Sequence, residues 1–129
     1  MNLKNIKKFS VMEILDNTSK SSFFVVNDLN LLEHSVRRIF FISSQQKESR
    51  GDHAHIKCWQ TLVCLGGKIT VTVNDGIHKE KLNLKFTEAV TIPPMIWSCQ
   101  DYEIGSNLMV LCSHKFDEED YIRDYKLFL

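Results

Sequence analysis

Arg50-Gly51-Asp52-His53-Ala54-His55 holds the side chains of this sequence best suited to chemistry near neutral pH. On an extended strand, residues two apart point to the same face, so His53 and His55 project side by side. Two imidazoles on one wall offer a proton acceptor with a partner, or two ligands for a metal ion. The same spacing fits a solvent-facing pair, or a core pair satisfied by hydrogen bonds. The pair alone does not choose between them. His34, His78 and His114 have no partner pattern and read as surface or packing residues.

The elements that must carry this pair are short strands separated by turn signals. Phe23–Val26 is a compact β-type run ended by Asn27-Asp28, and Val36–Ile42 reads as another strand. Thr61–Leu65 leads into Gly66-Gly67. From Lys68 to Val73 the pattern alternates, with Ile69, Val71 and Val73 on one face and Thr70 and Thr72 on the other. Asn74-Asp75-Gly76 predicts a tight hairpin, because Asp-Gly tolerates positive φ. Leu82–Leu84, Ala89–Ile92 and Leu108–Cys112 add strands, and Pro93-Pro94 stops one before Trp97. Near the end, Asp117-Glu118-Glu119-Asp120 precedes apolar residues at 121, 122, 125 and 128, which predicts one short amphipathic helix docked on the body. Many short strands and one helix argue for an all-β antiparallel sandwich or barrel.

The totals narrow the function class. At 129 residues the chain is read as one domain, 1–129, with one core. Lysine plus arginine equals aspartate plus glutamate, 16 each, so the positive field of a general nucleic-acid binder is missing. No run approaches the roughly 20 apolar residues of a membrane span, and no secretory signal precedes the first strand. Cys58, Cys64, Cys99 and Cys112 form no CxxC pair and have apolar neighbours, which suits free thiols in the cytoplasm.

Gly51-x-His53-x-His55-x4-Gln60-x6-Gly67 resembles the first cupin motif, with Gln60 where that motif places a glutamate ligand. The second motif falls on Pro93-Pro94-Met95-Ile96-Trp97-Ser98, where Met95 replaces a glycine and Ser98 a histidine. Two histidines and a neutral amide make a poor zinc or non-haem iron site. The expectation is therefore a cupin-type jelly roll without a metal, its histidines free for proton transfer. A metal-dependent cupin enzyme is the rival.

The combination R-G-x-H-A-H, Gln60, Cys64, Gly66-Gly67, Asp75-Gly76, Ile92–Trp97 and the tail Asp117–Tyr125 resembles the nucleotide-sugar 3,4-ketoisomerases over residues 37–128. The resemblance implies isomerisation of dTDP-4-keto-6-deoxyglucose to a 3-keto sugar for a 3-aminotransferase in deoxyaminosugar biosynthesis. It also implies a homodimer with exchanged N-terminal strands. No cofactor is implied, since two carbons exchange oxidation state internally. His53 is then the base at carbon 3, and His55 positions it or shuttles a proton. Arg50 suits a diphosphate oxygen. Of Arg37 and Arg38 only one can face the pocket, with Arg38 taken as substrate-binding. Gln60, Trp97 and Ser98 complete the expected substrate contacts, with Trp97 over the sugar or base and Ser98 near the barrel mouth. Family members often carry a tyrosine where this chain has Phe40-Phe41, which leaves Tyr102 as a substitute hydroxyl. Those departures keep a second rival, a non-catalytic sugar-binding cupin, and sugar epimerases of related fold are a third.

Overall fold

The computed structural model describes residues 3–129. Two five-stranded antiparallel sheets face each other. The first runs β1 (Phe9–Ser10), β9 (Glu88–Ile92), β6 (Gln60–Gly66), β11 (Ser106–Cys112), β4 (Arg38–Ser44). The second runs β12 (Tyr121–Ile122), β5 (Glu48–His55), β10 (Trp97–Tyr102), β7 (Ile69–Asn74), β8 (Lys79–Leu84). A hairpin of β2 (Met12–Asn17) and β3 (Ser22–Val26) stands outside both sheets. The arrangement is the all-β sandwich that the turn spacing predicts.

The period-two pattern decides what fills the interior. In β7, Ile69, Val71 and Val73 are buried while Thr70 and Thr72 between them stay partly accessible. They meet Leu62 from β6, Leu84 from β8, Val90 from β9 and Leu108 and Val110 from β11. Each such aliphatic side chain contributes about 1.5–3 kcal/mol by leaving water. A second core covers the outer face of the first sheet. There Val11, Met12 and Leu32 of the N-terminal segment pack on Val63, Ala89 and Leu111. That cover stops short of β4, whose Ile39 and Phe41 remain 52% and 65% exposed.

Two expectations change. The Asp75-Gly76 hairpin forms, but Asn74 pairs with Lys79, so its loop spans four residues rather than two. The Asp75 carboxylate accepts from the N–H groups of Ile77 and His78 and closes this wider loop. The C-terminal segment is not one amphipathic helix. Glu118–Asp120 form a single 3-10 turn, Tyr121–Ile122 add to β5 as a strand, and only Tyr125–Phe128 are α-helical (α1). Asp117 and Asp124 each cap a backbone N–H two residues on, so the acidic run restarts the chain twice instead of opening one long helix.

Candidate active site

A cavity of about 350 Å³ opens between the two sheets. Its floor comes from Phe40 and Ile42 of β4, Gln60 and Leu62 of β6 and Val110 of β11. The opposite wall carries Arg50, His53 and Gln100, and the C-terminal segment closes one side with Tyr121 and Arg123.

A bulge in β5 makes this wall. Arg50 lies opposite Gln100 and Gly51 opposite Cys99, but the next pair is His53 with Ser98, so Asp52 is an extra residue. Strict alternation puts Arg50 and His53, three apart, on opposite faces; one inserted residue restores them to the same face. Gly51 at φ +90° and Asp52 at φ +63° carry the backbone through the bulge. Gly51 is required twice over, because a Cβ there lies 3.0 Å from the Gln100 amide nitrogen. Asp52, turned outward by the bulge, accepts a hydrogen bond from Trp97 Nε1 at 2.9 Å.

The two imidazoles stand edge to face with ring centroids 5.0 Å apart. The Tyr121 ring packs on both, at 4.9 Å from His53 and 4.3 Å from His55. Burial, and then the neighbouring His55, push His53 down to about 4, so its ring is neutral at physiological pH. Burial also lowers His55, opposed by its hydrogen bond to Asp120. His55 Nδ1 lies 3.0 Å from Asp120 Oδ2, while His55 Nε2 and His53 Nδ1 are buried without a hydrogen-bond partner among the described residues. Unpartnered buried nitrogens are costly in a packed core, and of these two rings His53 is the one that lines the cavity.

The other expected residues divide. Arg50 and Gln60 line the cavity, with the Gln60 amide 3.6 Å from the Cys112 sulfur. Arg38 faces inward and Arg37 outward, with the Arg38 guanidinium over the rings of Phe40 and Phe116, at 5.5 and 5.7 Å, and beside Tyr121 and Cys112, though it is not among the residues lining the cavity. Ser98 is buried across from His53 and is not among the lining residues. Trp97 is on the other face of its sheet, packed against Tyr125 and Phe128 of α1 in a separate outer groove, so it does not cover this cavity. Phe40 lines the cavity whereas Phe41 points away from it. Tyr102 is buried elsewhere in the core, and Tyr121 is the tyrosine that meets the histidines.

Sequence reasoning missed Gln100, Tyr121, Arg123 and Asp120. Gln100 was legible, since it alternates with Ser98 on the strand after the proline pair. The tail residues were not, because an amphipathic-helix reading hides their pairing with β5. His55, Cys58 and Asp120 each place one ligand-type atom within 4.8 Å of the others. Both Asp120 oxygens, however, already accept N–H groups, Oδ1 from Lys57 and Oδ2 from His55 and Cys58. The cluster is a closed hydrogen-bond cradle.

The fold and the paired histidines together define a cupin-type β-sandwich with an inter-sheet site. Within that class, residues 3–129 match the family model described as FdtA: WxcM-like, C-terminal, and the chain belongs to that family. It is 32% identical over 125 residues to a TDP-4-oxo-6-deoxy-α-D-glucose-3,4-oxoisomerase of Aneurinibacillus thermoaerophilus, covering 95% of this chain and 88% of that one. A 3,4-ketoisomerase from Helicobacter canadensis superposes with TM-score 0.83 at 26% identity, covering 96% and 94% of the two chains. The TDP-fucose-3,4-ketoisomerase WlaRA of Campylobacter jejuni gives 0.80 at 28%, covering 96% and 93%. The sugar 3,4-ketoisomerase QdtA of Thermoanaerobacterium thermosaccharolyticum, solved with TDP, gives 0.84 at 24% over 98% and 93%, a likeness of fold.

Proposed function

We propose that this chain is a TDP-sugar 3,4-ketoisomerase that moves the carbonyl of dTDP-4-keto-6-deoxyglucose from carbon 4 to carbon 3. The observation that carries this reading is the pair of imidazoles, 5.0 Å apart, of which His53 lines a cavity of about 350 Å³ that Arg50 and Arg123 also line. The family, the curated relative and the ketoisomerase neighbours support the same reaction.

The 4-keto group acidifies the hydrogen on carbon 3. His53, neutral and facing the cavity, removes that proton, and the electrons move onto the carbon 4 oxygen to give an enediolate. A proton delivered to carbon 4 and one lost from the carbon 3 hydroxyl complete the exchange, with no net redox change and no redox cofactor. His55 shuttles the proton between the two oxygens. Gln60 and Gln100 carry the amide donors that face the developing oxyanion. Arg50 and Arg123 supply guanidinium groups for the diphosphate. The Arg123 guanidinium now holds Glu118 through two bonds of 2.6 and 2.9 Å, so diphosphate must displace or share that carboxylate.

The assembly we propose is a homodimer. Ile39 and Phe41 on β4, with Ile14, Leu15, Phe23 and Phe24 on the β2–β3 hairpin, are large exposed apolar groups that support a second copy as their cover. The product feeds a 3-aminotransferase. No helix among the described residues is long and apolar enough to cross a membrane. To test the activity, the protein is incubated with dTDP-4-keto-6-deoxyglucose in D₂O, with a 3-aminotransferase to trap the product. Deuterium at carbon 4 and a 3-amino sugar by NMR are expected. Substrate recovered unchanged, with hydrogen retained at carbon 3, refutes the proposal.

A further inference from the structure

Asp120 is the last residue of the 3-10 turn, immediately before β12, and its carboxylate reaches His55. Its carboxylate collects three N–H donors from the end of β5 and the segment that follows it. Oδ1 accepts from the Lys57 amide at 2.7 Å; Oδ2 accepts from the Cys58 amide at 3.2 Å and from the His55 ring at 3.0 Å. The Ile56 amide adds a bond to the Asp120 carbonyl, and Tyr121 pairs with His55 in the strand register. The chain terminus and the end of β5 are thereby fastened at one residue.

Which imidazole nitrogen carries the proton is set by the bond the other one makes. A carboxylate can only accept, so His55 Nδ1 must be the protonated nitrogen wherever Asp120 is ionised. His55 Nε2 is then a bare lone pair, and it is the nitrogen of that ring buried without a partner among the described residues. We propose that Asp120 is a positioning residue for the isomerisation, fixing His55 in the Nδ1–H tautomer so that Nε2 is presented as a proton acceptor beside His53. This rests on the ketoisomerase reading for its consequence in turnover, but not for the tautomer itself. The charged and titratable groups around the pair are His53 and Asp52 on β5, Arg38 on β4, Cys58 in the following turn, and Glu118, Tyr121 and Arg123 on the C-terminal segment.

The test is Asp120→Asn with wild type beside it. The amide keeps the shape and one acceptor oxygen, but it turns an NH₂ toward either the backbone donors or His55. The expected result is a fall in kcat on the order of 10²-fold with KM changed less than about threefold, and an altered pH profile. By ¹⁵N NMR, wild-type His55 is expected as Nδ1–H, shifting to Nε2–H or a mixture in Asp120→Asn. Near wild-type kcat with an unchanged tautomer overturns the proposal. If Asp120→Asn does not fold, the wild-type spectrum alone decides, since an Nε2–H ring there also overturns it. If the wild type shows no isomerase activity, the catalytic reading fails while the tautomer shift still stands or falls by itself.

Discussion

Consider lowering the pH from 7.5 to 5 on wild type and on His53→Gln. The ring of His53 is held down to about 4 by burial and by His55, against an ordinary histidine value of about 6.5. At pH 5 an ordinary histidine is about 3% neutral, whereas one at 4 is about 90% neutral. If an ordinary histidine were the base, kcat/KM would fall about thirtyfold across this interval; with His53 as placed, its own protonation costs about 10%. The same shift appears in stability with a definite sign. Between 6.5 and 4 the unfolded chain binds a proton at His53 that the folded chain refuses, so stability falls as pH falls through that window. Integrated from 7.5 to 5, the loss is about 2 kcal/mol, at 1.36 kcal/mol per pH unit of displaced titration. Urea melts of the two proteins at both pH values give the number directly. Wild type should lose about 2 kcal/mol more than His53→Gln, which lacks the titrating ring. Parallel losses in the two proteins, or an acid limb of kcat/KM near 6.5, would show that His53 titrates normally and is not a buried neutral base.

Arg50→Ala should raise KM for the nucleotide sugar about tenfold to a hundredfold with a smaller change in kcat, read from initial rates, because Arg50 lines the cavity as a cation for the diphosphate and not as a proton-transfer group. Met95, where the second motif has its glycine, sits at φ +62° and is 46% exposed, its N–H bonded to the His55 carbonyl at 2.7 Å. Met95→Gly should therefore stabilise by about 0.5–1 kcal/mol in a urea melt, the left-handed strain relieved outweighing glycine's unfolded-state entropy. If the proposed dimer buries β4, Phe41→Asp should give a monomer by sedimentation where wild type gives a dimer, leaving the far-UV spectrum intact, because the ring is outside the monomer's own core.

Local patterning was enough to specify the sandwich and most of its strands. The 69–73 alternation, the turn residues and the apolar runs each dictate a local conformation, and the sheet merely collects them. It also placed His53 beside His55, since two residues apart on a strand is a statement about geometry. Other features depended on distant residues. Arg50 joins His53 on one wall only because Asp52 is bulged opposite the Ser98–Cys99 step, a register fact that neither strand reveals alone. Trp97 went outward because its side chain falls on the α1 face, where Asp52 and Tyr125 receive it. The tail departs furthest from its local pattern. Its acidic-then-apolar pattern satisfies a helix, and β5 offers an open edge that a strand satisfies better. Once Tyr121 and Ile122 take that edge, Asp120 meets His55, and the electrostatics of the site follow from a contact across 65 residues of chain.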